Sequence, residues 1–352
     1  MSVTTHERPG VYSEYDASSV VQGRQGRKMV GMAAIHATAP AGVPQTVTSY
    51  EGALIAFGST GGQDMTELIR LALKNGAAGV VAVPVADEEG YEAAFAALAA
   101  MDDIGVVICD SVDREVQQSL RDSAAAASAA RRERIAVAAG GAGETVTELL
   151  ERAKALNSER VVLAAPGGVS EKGTALSGLT AAAAVAGAIA GQGDPAVPLG
   201  GAELLGLNGL STQYGDNDID LLVRGGVTPL DSRAGTVSVV RGITTRTRSG
   251  ESEDATWREL STVLIVDDVI PAIRESLRAR FRRAKNTEQS RGAIRSQVVL
   301  ELENKKAREI ITGYDGVTVT ALPENPTVCL VEFAFTVAHG LNQIWLTASI
   351  TI

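Results

Sequence analysis

Few side chains in this sequence have a type and spacing that could perform catalysis. The three histidines, His6, His36 and His339, are far apart, and the two cysteines, Cys109 and Cys329, each lie in an apolar run. A zinc site needs closely spaced ligands, as in His-Glu-x-x-His or Cys-x-x-Cys, and the sequence contains neither pattern. It also contains no Gly-x-Ser-x-Gly turn for a serine nucleophile. The sequence therefore predicts no catalytic residue, no cofactor-binding residue and no metal ligand.

A glycine-rich turn at Gly140–Gly143 keeps one chemical hypothesis open. It follows a predicted strand and precedes a predicted helix, and amides at the start of a helix can bind phosphate. However, the turn lacks the lysine of a P-loop and the spacing Gly-x-Gly-x-x-Gly, and Glu144 would compete with an anion. A tight turn with a carboxylate near the helix dipole is the favoured interpretation. A soluble α/β enzyme or phosphate-binding protein is the alternative.

Charged residues cluster at three other places. The run Asp216–Asp220 predicts the N-terminal cap of a helix. Asp267 and Asp268 interrupt an apolar segment, which predicts a solvated helix face, with contact to a partner as the alternative. A basic cluster follows, which a helix C-terminus would favour through its dipole. The other hypothesis is that this cluster docks on an acidic surface. Its candidate contact residues are Arg274, Arg278, Arg282, Arg283 and Lys285.

Composition excludes several classes of protein. The 352 residues are 45% hydrophobic and only 4% aromatic, with a formal net charge of −10. A net negative chain is a poor general ligand for nucleic acid, because such proteins replace phosphate counterions with Lys and Arg. No segment reaches the roughly 18 apolar residues that suggest a membrane span, and the first residues do not resemble a signal peptide. We therefore expect no direct nucleic-acid partner, no membrane insertion, and synthesis in a cytoplasm.

The first two thirds of the chain alternate apolar runs with amphipathic stretches. Such alternation is typical of βαβ units and a largely parallel sheet. An Ala-rich segment, 176–190, predicts a buried helix. The predicted strands are 78–85, 104–109, 134–138, 160–165 and 236–240. The predicted helices are 65–74, 91–100, 114–130 and 146–156.

The last third has a different pattern. Residues 246–255 predict an exposed loop, 257–281 predict a helix that Pro271 kinks or divides, and 291–311 predict a second helix. Period-two alternation then predicts two half-buried strands, 327–337 and 341–352, joined by a turn around His339. At the other end, residues 1–22 are polar and can only be extended. The N-terminal segment is therefore either flexible or docked on a partner, and the apolar face of the last strand must pair with a partner.

Several segments together resemble the phage tail sheath family. The start Arg8-Pro9-Gly10-Val11-Tyr12 is similar to the opening of sheath proteins. Ala164-Ala165-Pro166-Gly167 and Gly225-Gly226-Val227-Thr228-Pro229-Leu230 resemble their central domain. The part from Trp257 to Ile344 resembles their C-terminal domain.

The resemblance implies a fold and a domain plan. It implies an α/β domain with a central largely parallel sheet and flanking helices, similar to subtilisin in topology but without a catalytic triad. It also implies a C-terminal α+β domain facing an inner tube, and extended N- and C-terminal arms. The expected divisions are 1–22, 23–250, 251–338 and 339–352. The arm residues expected at subunit contacts are Val11, Tyr12, Tyr15, Ile344, Leu346, Ile350 and Ile352.

The resemblance also implies a function without a cofactor and without enzymatic activity. Subunits would form a helical homo-oligomer around an inner tail tube protein, with baseplate and tail terminator proteins as further partners. The basic cluster would contact the tube or form charge pairs between subunits. Contraction of this sheath would drive the tube through a cell envelope. Assembly would take place in a host cytoplasm, and the product would be a tail or virion particle of a phage, a bacteriocin or a related injection system.

Overall fold

The computed structural model describes residues 28–59, 63–169, 173, 175–250 and 252–342. The strands are β1 (Met29–Ile35), β2 (Gln45–Val47), β3 (Val80–Val85), β4 (Ile104–Cys109), β5 (Ile135–Ala139), β6 (Val161–Ala165), β7 (Thr228–Arg233), β8 (Thr236–Val239), β9 (Arg248–Ser249), β10 (Ser252–Glu253), β11 (Ile311–Leu322) and β12 (Asn325–Val337). The helices are α1 (Tyr50–Phe57), α2 (Met65–Lys74), α3 (Tyr91–Ala99), α4 (Arg114–Ala129), α5 (Val146–Leu156), α6 (Leu179–Gly191), α7 (Asp216–Arg224), α8 (Leu260–Phe281) and α9 (Glu288–Ala307).

Strands β1 to β8 form one sheet in the order β2-β3-β1-β4-β5-β6-β7-β8. Neighbours from β3 to β7 run parallel, while β2 and β8 are antiparallel strands at the two edges. Every residue of β3, β4, β5 and β6 is buried. Continuous apolar strands of this kind are typical of a sheet covered on both faces. The predicted α/β class with a central, largely parallel sheet is confirmed.

Two hydrophobic cores lie on opposite faces of this sheet. One face packs against α1, α2, α6 and the first turns of α8. The other face packs against α3, α4, α5 and α7. Alternate residues of one strand enter different cores: Val30 and Met32 of β1 enter the first core, and Ala33 enters the second. The result is three layers, with helices on both sides of the sheet.

Helix α6 is the buried, Ala-rich helix that the sequence predicts. Its small side chains let it lie very close to α2, with which it shares the first core. A Cβ placed on Gly187 would lie 2.3 Å from the carbonyl oxygen of Ala72. At that distance the backbones of the two helices are in contact, so Gly187 is required by the packing and not by its backbone angles.

Helix α8 connects the sheet to a smaller C-terminal unit. Its first turns, with Leu260 and Val263, belong to the first sheet core. Further along, Val269 and Ile273 belong to a third core, which α9, β11 and β12 complete. The helix is continuous through Pro271. The predicted alternative, in which Pro271 begins a second helix, is therefore wrong.

The structure pairs β12 differently from the prediction. Strand β12 alternates as expected, with half-buried odd positions from Cys329 to Val337 and exposed even positions between them. Its partner, however, is the preceding strand β11, antiparallel to it, in a region where the sequence predicts no element after the helix end at 311. Of the other predicted strand, 341–352, only the first two residues lie within the described part of the chain.

Two smaller predictions are also corrected. The predicted exposed loop at 246–255 contains a tight hairpin, β9–β10, and Arg246 beside it pairs with Asp254 at 3.2 Å. The predicted aspartate cap of α7 is instead Gly215, and Asp216 and Asp218 lie within the first turn. The positive end of the helix dipole still stabilises carboxylates in this first turn. No helix in the described part of the chain is long and apolar enough to cross a membrane.

Candidate assembly surfaces

The arm residues expected at subunit contacts lie outside the described residues. These are Val11, Tyr12, Tyr15, Ile344, Leu346, Ile350 and Ile352. Their role therefore stays a prediction. The described residues do show surfaces on which such segments could act, together with the site of the basic cluster.

The β11–β12 hairpin offers an extended backbone for pairing. Its strands of 12 and 13 residues form a two-stranded sheet of their own. One face packs on the third core through Val331, Phe333, Phe335 and Val337. Within the described part of the chain, each strand pairs only with the other, so each keeps one edge without a ladder partner. An open edge of this length is a template for strand addition.

Most of the basic cluster lies at the distal end of α8. Arg278 is in the last turn of the helix, Arg282 and Arg283 follow its end, and Lys285 leads into α9. All four side chains are exposed, and none forms an ion pair with another described residue. We call these four residues, with Arg280, the basic tip. The structure brings these predicted contact residues together.

Arg274 differs from the other predicted contact residues. Its guanidinium donates to the Glu133 carboxylate at 2.8 Å. Glu133 lies just before β5, at the amino edge of the parallel sheet. Arg274 therefore helps to fix α8 on the sheet domain and is already paired within the chain.

Side-chain hydrogen bonds stabilise the turn that carries the basic tip. The Asn286 side-chain amide donates to the carbonyl oxygens of Pro326 and Val328, at 2.7 and 3.3 Å. Arg291 in turn donates to the Asn286 side-chain oxygen at 3.0 Å. These bonds tie the connection between α8 and α9 to the start of β12. The tip is consequently presented by a fixed turn.

The predicted solvated face at Asp267 and Asp268 is wrong. Asp267 is only 8% exposed, and its carboxylate accepts from Arg160, immediately before β6, at 2.5 Å. Asp268 pairs with Lys305 of α9, also at 2.5 Å. Asp267 is buried and the Asp268 side chain is 22% exposed, because α8 packs against the sheet domain and α9 together. Burial raises the pKa of Asp267 despite the attraction of Arg160, and one of its oxygens has no hydrogen-bond partner among the described residues.

The glycine-rich turn is filled by its own acidic residue. The Glu144 carboxylate accepts the amide of Gly141 at 2.8 Å and pairs with the buried Arg152. Thr145 and Glu148 then form a capping box at the start of α5. The amide that a phosphate would use is therefore already bonded to a carboxylate. This geometry supports the structural interpretation of the turn.

Two family models together match well over half of this chain. The model of the phage tail sheath protein central domain matches residues 85–245. The model of the phage tail sheath C-terminal domain matches residues 252–351. A curated tail sheath protein of Bacillus phage SP01 is 31% identical over 212 residues, which are 58% of this chain and 36% of the relative. The chain thus spans little more than a third of the length of that relative.

Solved structures share the fold over nearly the whole chain. The sheath tail protein of Desulfitobacterium hafniense has a TM-score of 0.70 at 14% identity, over 93% of this chain and all of its own. A chain of the contracted helical sheath of the anti-feeding prophage has a TM-score of 0.73 at 18% identity, over 98% of this chain and 99% of its own. A chain of the baseplate of the same system has a TM-score of 0.75, over 99% of this chain.

Proposed function

This chain belongs to the phage tail sheath family, and from that premise we propose that it is a structural subunit of a contractile sheath. Copies would polymerise helically around an inner tube and re-pack into a shorter lattice that drives the tube through a cell envelope. The observation that carries the proposal is the separate β11–β12 sheet with an open edge on each strand among the described residues. An open strand edge favours pairing with another chain.

The arms would supply that pairing. Strand addition uses main-chain hydrogen bonds, each contributing a net ~0.5–1.5 kcal/mol. A few bonds from each arm, repeated along a lattice, would hold subunits together while their bodies move. A heterologous contact that does not close generates a helical filament. The inner tube, baseplate and tail terminator proteins would be the other partners, with assembly in a host cytoplasm and a tail particle as the product.

The alternative, an enzyme or phosphate-binding protein, has little physical support. It depends on the Gly140–Gly143 turn, where the Glu144 carboxylate occupies the Gly141 amide. A second negative group at that place would be repelled by the first. We therefore propose that the chain acts without a catalytic site and without a cofactor.

A proline scan of the arms tests the proposal. Leu346→Pro removes one main-chain donor from the C-terminal arm, whereas Leu346→Val keeps it with a side chain that favours strands. We expect the full-length wild type and Leu346→Val to form tubes in negative-stain electron microscopy. We expect Leu346→Pro to remain monomeric with an unchanged circular dichroism spectrum and melting temperature.

A matched pair at the other end completes the experiment. Tyr12→Pro and Tyr12→Val are the corresponding variants of the N-terminal arm. Tubes formed by both proline variants would show that the arms do not join subunits. A wild type that stays a discrete particle under all assembly conditions would contradict the sheath proposal itself.

A further inference from the structure

A crevice of about 530 Å³ opens at the carboxyl edge of the parallel sheet. It lies at the ends of β1 and β4, beside Ile35 and Asp110. The chain leaves β1 toward β3 on one side and reaches β4 on the other, so this is the point where the strand order reverses. Such switch points leave a gap between the flanking loops, where parallel-sheet proteins receive ligands.

The floor of the crevice is a half-buried carboxyl group. The Asp110 carboxylate accepts the amide of Ile35 at 2.9 Å, and the hydroxyl of the buried Tyr91 donates to its other oxygen. Burial raises the pKa of Asp110 above its usual value. An approaching cation would reverse that effect, because it stabilises the ionised carboxylate. The floor is thus suited to a positively charged group.

The rim of the crevice carries carboxylates that have no ion-pair partner among the described residues. Glu88 and Asp113 line it, and three more exposed carboxylates lie within four residues of Glu88 in the sequence. None of the five forms an ion pair with another described residue. Two cations also line the crevice: the exposed Arg114, and the buried Arg152, which pairs with Glu144. We call these five carboxylates the acidic rim: Asp87, Glu88, Glu89, Glu92 and Asp113.

The basic tip lies toward the opposite edge of the sheet. Helix α8 is fixed at the amino edge, where Asp267 meets Arg160 before β6 and Arg274 meets Glu133 before β5. From Arg274 the helix extends roughly 10 Å further to its end, at 1.5 Å per residue. Among the residues that the structure describes, no ion pair joins the tip to the rim. Within the described part of the chain, opposite charges without ion-pair partners therefore lie toward the two edges of the sheet.

We infer that the basic tip of one copy docks on the acidic rim of the next copy, with a tip arginine entering the crevice above Asp110. This inference rests on the sheath function proposed above, because it names a contact between its subunits. The contact is head-to-tail, uses two different surfaces, and leaves a free tip and a free rim at the ends of any row. Contacts of that kind build open filaments. It assigns the tip to a neighbouring subunit and not to the inner tube.

A charge swap on the full-length protein tests this contact. The tip variant carries Arg278→Glu, Arg282→Glu and Arg283→Glu. The rim variant carries Glu88→Arg, Glu89→Arg and Glu92→Arg, and a third variant carries all six changes. A control variant, Lys154→Glu, Arg224→Glu and Lys306→Glu, matches the charge change of the tip variant at exposed positions elsewhere. The measurement is the critical concentration for sedimentable tubes.

We expect the tip and rim variants each to raise the critical concentration at least about tenfold, a change that corresponds to about 1.4 kcal/mol. The six-change variant should return to within about threefold of wild type, and the control should stay there, because only direct pairing is restored by exchanging both signs. High salt should weaken wild-type assembly, since about 1 M salt screens exposed charges beyond roughly 3 Å.

Two results would overturn the inference while leaving the sheath proposal intact. One is tube formation by the tip and rim variants at wild-type concentrations. The other is a tip variant that is not rescued by the rim changes, although its melting temperature is unchanged; the tip would then face another partner such as the tube. A wild type that forms no tubes would instead contradict the proposed function.

Discussion

Removing Arg160 should destabilise the junction between the sheet domain and α8. The Arg160–Asp267 pair is nearly enclosed, since the two side chains are 16% and 3% exposed. The variant Arg160→Met keeps most of the side-chain length and deletes the charge. Asp267 would then be a buried carboxylate without its partner, and one of its oxygens already lacks a hydrogen bond among the described residues.

The expected cost follows from this burial. Removing one member of a buried ion pair costs about 3–5 kcal/mol, because the remaining charge is left without compensation. Lys28, which also attracts the Asp267 carboxylate, should hold the cost near the lower end, at about 3 kcal/mol. An exposed pair gives the control: Arg233 is 84% exposed beside Asp231, so Arg233→Met should cost less than about 1 kcal/mol.

The pH dependence of this cost has a definite sign. Burial already raises the pKa of Asp267, and loss of Arg160 would raise it further. The folded variant would then hold a proton on Asp267 more tightly than the unfolded chain does. Its stability should therefore fall as pH rises above about 3.9, the ordinary value for Asp, and recover as pH falls. The stability of the wild type should fall by a smaller amount over the same pH range.

Urea unfolding of the unassembled protein, followed by circular dichroism, measures this cost at pH 5 and pH 8. The double variant Arg160→Met/Asp267→Leu closes the cycle and should lie within about 1–2 kcal/mol of wild type, because an apolar pair can replace a buried ion pair. A cost below about 1 kcal/mol for Arg160→Met at pH 8, or a cost that does not change with pH, would refute this reasoning.

Two further predictions concern packing and the crevice. Gly187→Ala should destabilise the fold by about 1–3 kcal/mol, because the added Cβ would overlap the Ala72 carbonyl. Its control, Gly292→Ala, lies in open space on α9 and should stabilise the fold by up to about 1 kcal/mol. Thermal melts of both variants measure the difference, and equal melting temperatures would contradict it. Asp110→Asn should gain stability relative to wild type as pH rises from 4 to 7. The raised pKa of Asp110 means that ionisation of this carboxyl lowers the stability of the folded wild type, and the variant has no such group. Thermal melts at the two pH values measure this, and a melting temperature of the variant that falls relative to wild type would contradict it.

Local sequence pattern was sufficient for most elements of the sheet domain. The bounds predicted for α2, β4 and α5 agree with the structure because each is a short, regular run whose ends carry turn or capping residues. Strand β12 was found from its alternation for the same reason. These signals depend on neighbours within a few residues, so they can be recognised without knowing the fold.

Strand β11 was missed because its alternation is broken. The ladder with β12 shifts register at three places, and Gly316 lies in the left-handed region at φ +63°. Each bulge moves the following side chains to the other face of the strand. The pattern of Ile311–Leu322 is therefore irregular in sequence, although the strand is continuous in space.

The sequence by itself determined the fold class, most of the helices and strands, and the family resemblance, because composition, hydrophobic period and motif order are properties of the chain. Only the tertiary structure decided which of the described charged residues form ion pairs within the chain and which do not. Asp267 and Arg274 pair with residues 107 and 141 positions away, whereas the tip arginines pair with none of the described residues. Pairing across such separations depends on which surfaces the fold brings together, and no local pattern contains that information.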